Sequence, residues 1–166
     1  MSTQQDAFER MAMPHVSALL RVACRLRGDR TAAEDLVQET MLRAWRARHQ
    51  FREGTNARAW LFRILFHQFY SEGRRARVEL NFVAPPAPDQ AADPVETLEV
   101  NQALAALSEE HRAVLLLAVV EGFTCQEIAG ILSIPIGTVM SRLSRARQAL
   151  RELLAPGETC AKGGAA

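Results

Sequence analysis

Thr138, Ser141, Arg142, Ser144 and Arg145 place hydroxyl and guanidinium groups at helical spacing. At about 100° per residue, Thr138, Ser141, Arg145 and Gln148 share one face, flanked by Arg142 and Ser144. Val139, Leu143, Ala146 and Leu150 fall on the opposite face. The chemistry open to such a polar face is recognition. Arginine donates two hydrogen bonds to the edge of a guanine, and hydroxyls reach bases or phosphates. Just upstream, Thr124-Cys-Gln-Glu127 is a capping box opening a short helix to Leu132, and Ser133-Ile-Pro135 makes a turn. Short helix, tight turn and longer basic helix make the layout of a helix-turn-helix, with Val139 and Leu143 packing on Ile128, Ala129 and Leu132. An ordinary helix pair with a solvated basic face fits the same pattern.

A second group of polar residues lies on a helix over 32–48. Asp35, Gln38, Glu39, Leu42 and Arg46 gather on one side, and Ala33, Val37, Thr40 and Ala44 on the other. Leu42 in the middle of a polar face suits a partner surface. A solvated face with one stray leucine is the other reading. A third group begins at the loop Phe51-Arg-Glu-Gly-Thr-Asn56, where Arg52, Thr55 and Asn56 offer donors and acceptors to a base. The helix after it, 57–76, is apolar almost all round. Trp60, Leu61, Ile64 and Leu65 form one side, Phe62, Phe66 and Phe69 another, and His67 and Tyr70 lie between. The rings either all enter the core, or one side stacks on bases or meets a protein partner. Arg74, Arg75 and Arg77 then offer a phosphate clamp.

The elements that must position these groups are helices, since no window shows sustained two-residue alternation. Pro14 divides or kinks a first helical region from about Asp6 to Arg27, and Gly28 stops it. Thr31-Ala-Ala-Glu34 is a capping box for the helix to about His49, and Asn56 caps the helix beyond it. The stretch Asn81–Pro94 contains four prolines and no apolar period, so it reads as an extended linker. The expected division is residues 1–80, a linker over 81–95, a second domain over 96–154, and a disordered tail over 155–166. In the second domain a helix runs from about Val95 to Ala106, and Ser108 caps the next, which ends before Gly122.

Charge shows the same division. Residues 1–83 carry 14 arginines against nine acids, residues 84–107 carry four acids and no base, and residues 108–166 balance at six each. Two basic regions joined by an acidic connector point to anionic partners. Cys24, Cys125 and Cys160 are odd in number and widely spaced, which argues against a disulfide framework. No metal-ligand spacing, glycine-rich phosphate loop or nucleophile–base pair is present, so neither cofactor, metal nor enzyme activity is expected. No apolar run nears the roughly 20 residues that span a bilayer, and the start lacks a signal-peptide layout. A soluble cytoplasmic protein without membrane insertion is expected.

Two strings resemble one family. Phe123 to Arg147, above all Ile-Pro-Ile-Gly-Thr-Val-x-Ser-Arg-Leu-x-Arg-Ala-Arg, is similar to region 4 of the extracytoplasmic-function sigma factors. Ala33-Glu-Asp-Leu-Val-Gln-Glu-Thr-x-Leu-Arg-Ala-Trp45 is similar to region 2.2, and the resemblance covers about residues 7–154. It implies an all-α protein of two small helical domains, a region 2 bundle and a region 4 helix-turn-helix. It also implies a transcription initiation factor that directs core RNA polymerase to promoter DNA. Asp35, Gln38, Glu39, Leu42 and Arg43 would then dock on the clamp helices of the β′ subunit, with the β subunit a further contact. Arg52, Thr55, Asn56, His67, Arg74 and Arg75 would read the −10 element around a flipped non-template base, whose extrusion couples recognition to melting. Thr138, Ser141, Arg142, Ser144 and Arg145 would read the −35 element. The chain departs from the pattern at Met140, where a basic residue is usual, at Ser144, where a larger ring is common, and at His67, where asparagine is usual. The string from Gly54 to Glu72 is closest to the general-stress-response branch, and an anti-sigma factor is the implied regulator. A sigma-like decoy domain that binds an anti-sigma protein is the nearest alternative. An ordinary helix-turn-helix repressor leaves Asp35–Trp45 unexplained.

Overall fold

The computed structural model describes residues 2–79 and 98–155. The proline-rich stretch over 81–95, the start of a helix at Val95 and the tail after Ala155 lie outside the described residues. Every regular element among the described residues is helical. Helix α1 spans Ser2–Ala12, and Pro14 enforces a break there, with one 3-10 turn over Met13–His15 before α2, Val16–Arg27. Gly28 ends α2 in the left-handed region at φ 71°, its N–H donating to the Cys24 carbonyl at 2.8 Å.

Helix α3 spans Arg30–Arg46. The expected box at Thr31 does not form. Asp29 is the cap, its carboxylate accepting from the N–H groups of Thr31 at 3.3 Å and Ala32 at 2.9 Å, which places Thr31 inside the helix. Helix α4, Ala57–Glu79, outlasts the expected end at Ala76 by three residues. Helices α5, Leu98–Ala106, and α6, Glu109–Leu115, are joined at Leu107–Ser108, where the Ser108 hydroxyl accepts from the His111 N–H at 3.3 Å. Helix α6 runs on as a π turn over Leu116–Val120. Helix α7, Cys125–Leu132, opens with the expected capping box at Thr124 and Glu127, and α8, Ile136–Leu154, begins after the turn at Pro135.

In the first half, Leu19, Val22 and Leu26 of α2 and Leu36 and Val37 of α3 are buried with Leu61 and Leu65 of α4. In the second, Val114, Leu117, Ile128, Val139, Leu143 and Ala146 are buried around the helix-turn-helix. The two sets join in one continuous core. The connection runs through α4, where Phe62 meets Phe123 edge-on, ring centroids 5.5 Å apart. Each such ring gains about 1.5–3 kcal/mol by leaving water. This answers the question posed by a helix that is apolar all round: Phe62, Phe66 and Phe69 are all buried, and Phe62 is covered by the second half of the same chain.

Candidate nucleic-acid interface

On α3 the split into two faces is as expected. Ala33, Val37, Thr40 and Ala44 are buried, and Thr40 meets its burial requirement by donating to the Leu36 carbonyl at 2.7 Å. Asp35, Gln38 and Arg46 are exposed, and Leu42 stands 50% exposed among them. Glu39 and Arg43 pair at 2.8 Å along the same strip. None of these side chains supports the core.

The loop before α4 is built by local hydrogen bonds. Gly54 turns the chain at φ 85°, and the Thr55 hydroxyl donates to the Arg52 carbonyl at 2.7 Å. The Asn56 Oδ1 caps α4 by accepting from the Ala59 N–H at 3.0 Å. Phe51 covers Trp60, ring centroids 5.2 Å apart. Arg52, Thr55, Asn56, His67, Arg74 and Arg75 are all exposed along this loop and α4. The rings of α4 leave only Trp60 and Tyr70 half-buried, and burial pushes the Tyr70 hydroxyl up to about 12.

On α8, Ser141, Ser144 and Arg145 are exposed and Thr138 is half-buried, while Val139, Leu143 and Ala146 turn inward. Arg142 is held differently. Its guanidinium pairs with Glu110 at 3.2 Å and lines a cavity shared with Tyr70, Gly73 and Arg74 of α4. Met140, beside these residues, is 58% exposed.

Polar contacts between four residue pairs cross between the halves. Glu121 is buried and pairs with Arg21 of α2 and Arg58 of α4. The Asn56 Nδ2 donates to Glu127 Oε1 at 3.2 Å. Arg112 donates from Nη1 to the Leu26 carbonyl of α2 at 3.3 Å and from Nε to the Leu104 carbonyl of α5 at 2.8 Å. Sequence reasoning passed over Arg21, Arg58 and Glu121. The one available signal is an acid closing the apolar run Leu115–Val120. Hydrogen bonds from Thr124, first its N–H and then its hydroxyl, hold the Glu127 carboxyl below its usual range, with smaller help from Asn56 and Arg58.

Known proteins are similar to this chain in sequence and fold. The Sigma-70 region 2 family matches residues 11–78, and the Sigma-70 region 4 family matches residues 97–150. The chain is 40% identical over 147 residues to the ECF RNA polymerase sigma factor SigL of Mycobacterium tuberculosis, covering 82% of each. It is 37% identical over 146 residues to the ECF RNA polymerase sigma factor EcfG of Rhodopseudomonas palustris, covering 84% of this chain and 80% of that one. Among solved structures, the sigma factor RpoE of Bartonella quintana, in complex with the anti-sigma factor NepR, is similar with a TM-score of 0.81 and 35% identity. That match covers 89% of this chain and 96% of the other. With a region 2 match through α2–α4 and a region 4 match through α5–α8, the chain belongs to the ECF RNA polymerase sigma factors.

Proposed function

We infer that residues 1–80 and 96–154 act as two units that bring core polymerase to a promoter, each through the exposed strip described above. The observation that carries this reading is the face of Asp35, Gln38, Leu42 and Arg43, which is laid out for a partner and supports nothing inside the fold. That face docks on the β′ clamp helices. The loop at Arg52, Thr55 and Asn56, with His67, Arg74 and Arg75 beyond it, takes the −10 element. Ser141, Ser144 and Arg145, joined by Thr138 and Arg142, take the −35 element. The chain works by binding and deforming DNA rather than by bond chemistry, and it does so in the cytoplasm, where polymerase is. The described residues contain no helix long and apolar enough to cross a membrane.

An anti-sigma factor is the expected regulator, as in the Bartonella complex, and the Gly54–Glu72 string supports a place in the general-stress-response branch. The test combines a pull-down with run-off transcription. Asp35→Ala with Gln38→Ala is expected to weaken binding to core polymerase and to lower run-off product, with helical circular dichroism unchanged. Undiminished binding by the folded double variant rejects the docking face.

A further inference from the structure

The two halves meet on one acid. The Glu121 side chain has no solvent exposure. Its Oε1 accepts from Arg21 Nη2 at 2.9 Å and from Arg21 Nε at 3.2 Å. Its Oε2 pairs with Arg58 Nη2, which also donates to the Glu121 backbone carbonyl at 2.7 Å. The Arg58 guanidinium sits 4.5 Å from the centroid of the Phe123 ring. Beside it, Asn56 of the first half is bonded to Glu127 of the second. Both arginines and the asparagine belong to α2, α4 and the loop between α3 and α4. Both acids belong to the other half.

Two guanidiniums converging on one point form an anion site. In the structure its anion is an internal carboxylate. Arg58 stands two residues beyond Asn56, at the start of α4 and beside the loop assigned to the extruded base.

We propose that Arg21 and Arg58 form a nucleic-acid phosphate site on the first half, that Glu121 fills it in the resting chain, and that this self-closure withholds the chain from promoters. The proposal rests on the reading that the two halves take two separate promoter elements. Elements centred near −35 and −10 lie about 25 base pairs apart, which is about 85 Å of duplex at about 3.4 Å per pair. In the closed chain Arg142 of α8 and Arg74 of α4 line the same cavity. The halves must therefore part before both elements can be reached. Parting leaves Arg21 and Arg58 as neighbouring like charges with no counter-charge, and a phosphate of the DNA is the anion that then fits them. Closure and DNA binding exclude each other because they use the same two guanidiniums. A partner that prefers the open form, such as polymerase, shifts the balance by its differential affinity.

The test is a distance measurement on the full chain. Donor and acceptor dyes go on Arg63→Cys and Gln148→Cys, both exposed, with Cys24, Cys125 and Cys160 replaced by alanine. The free chain is expected to give one high-transfer population, and core polymerase to move it to low transfer. Glu121→Gln is expected to spread the free chain toward low transfer. It should also tighten binding to a short oligothymidine strand about tenfold, because a closed chain's affinity is reduced by the fraction that is open. Adding Arg21→Ala and Arg58→Ala should remove that gain and make the salt dependence shallower. If Glu121→Gln does not fold, the labelled chain with Glu121 intact still decides, since a free chain spread over low transfer overturns the closed resting state. Equal oligothymidine affinity in a folded Glu121→Gln chain, or a gain that survives loss of both arginines, overturns the phosphate site. Run-off transcription with the unlabelled chain checks the promoter reading separately: a chain that closes yet supports no transcription with polymerase upholds the closure and rejects that reading.

Discussion

Arg142 and Arg145 differ by three residues and stand in different electrostatic settings. Arg145 is exposed, whereas Arg142 is paired with Glu110 at 3.2 Å and is 24% exposed. Arg145→Ala is expected to weaken promoter binding by about 1–3 kcal/mol, with the loss confined to one base position if it grips a guanine. Arg142→Ala should cost less in binding, because the wild-type guanidinium must first leave Glu110. Titration of promoter variants with a matched salt series checks both. His15 carries a pH dependence. Burial first, and the nearby Arg58 second, hold its pKa below the usual 6.5, so the folded chain favours the neutral ring. The unfolded chain takes up that proton near 6.5, so the contribution of neutral His15 is complete above this pH and is lost as pH falls through and below it. Denaturation midpoints should drop below about pH 6.5, and His15→Gln should flatten the drop. At this scale the sequence was legible wherever a residue's face was set by its own helix. The exposed strip at Asp35, Gln38 and Leu42 and the buried set at Ala33, Val37, Thr40 and Ala44 came straight from the helical angle. The Arg142 pair was not legible, because Glu110 lies on another helix and a pattern within α8 cannot see it.

The same capping pattern occurs at Thr31–Glu34 and at Thr124–Glu127, and only the second is used. The reason is Asp29, whose extended backbone, φ −131° and ψ 132°, aims its carboxylate at the first free N–H groups of α3. Sequence alone offers two adequate acceptors two residues apart and no means of ranking them. At α7 there is no such rival. The Thr124 hydroxyl accepts from the Glu127 N–H at 3.2 Å, and the Glu127 carboxylate accepts from the Thr124 N–H at 2.8 Å. Thr124→Ala should therefore destabilise the chain by about 1 kcal/mol, and Asp29→Ala by a similar amount, whereas Thr31→Ala should be nearly silent. Chemical denaturation of the three variants separates them. Arg112 does comparable work between elements. It donates to the carbonyls of Leu104, Ala105 and Leu107 near the end of α5 and of Leu26 near the end of α2, where a cation is favoured. Arg112→Met, which keeps the length of the stem and loses the donors, is expected to cost about 2–3 kcal/mol by the same measurement.

For the molecule as a whole, the helices and the helix-turn-helix were legible from capping residues, prolines and apolar spacing, which are local signals. The joining of both halves in one core was not. Phe62 and Phe123 are far apart in sequence, with the proline-rich stretch between them, and neither ring's own neighbours require the other. The buried charge of Glu121 escaped notice for the same reason, since its partners come from α2 and α4. The π turn over Leu116–Val120 sets where that acid stands, the Glu121 N–H reaching back five residues to the Leu116 carbonyl at 3.1 Å. Such a turn holds one residue more than an α-helix needs to cover the same ground, and the surplus is pushed outward, where Val119 is 61% exposed. The chain therefore has a place where its length can change without disturbing the helices beyond it. Deleting Val119 should leave α7, α8 and the position of Glu121 in phase and shift the melting temperature little. Deleting His111, in the regular part of α6, turns every later side chain of that helix by about 100° and should abolish cooperative melting.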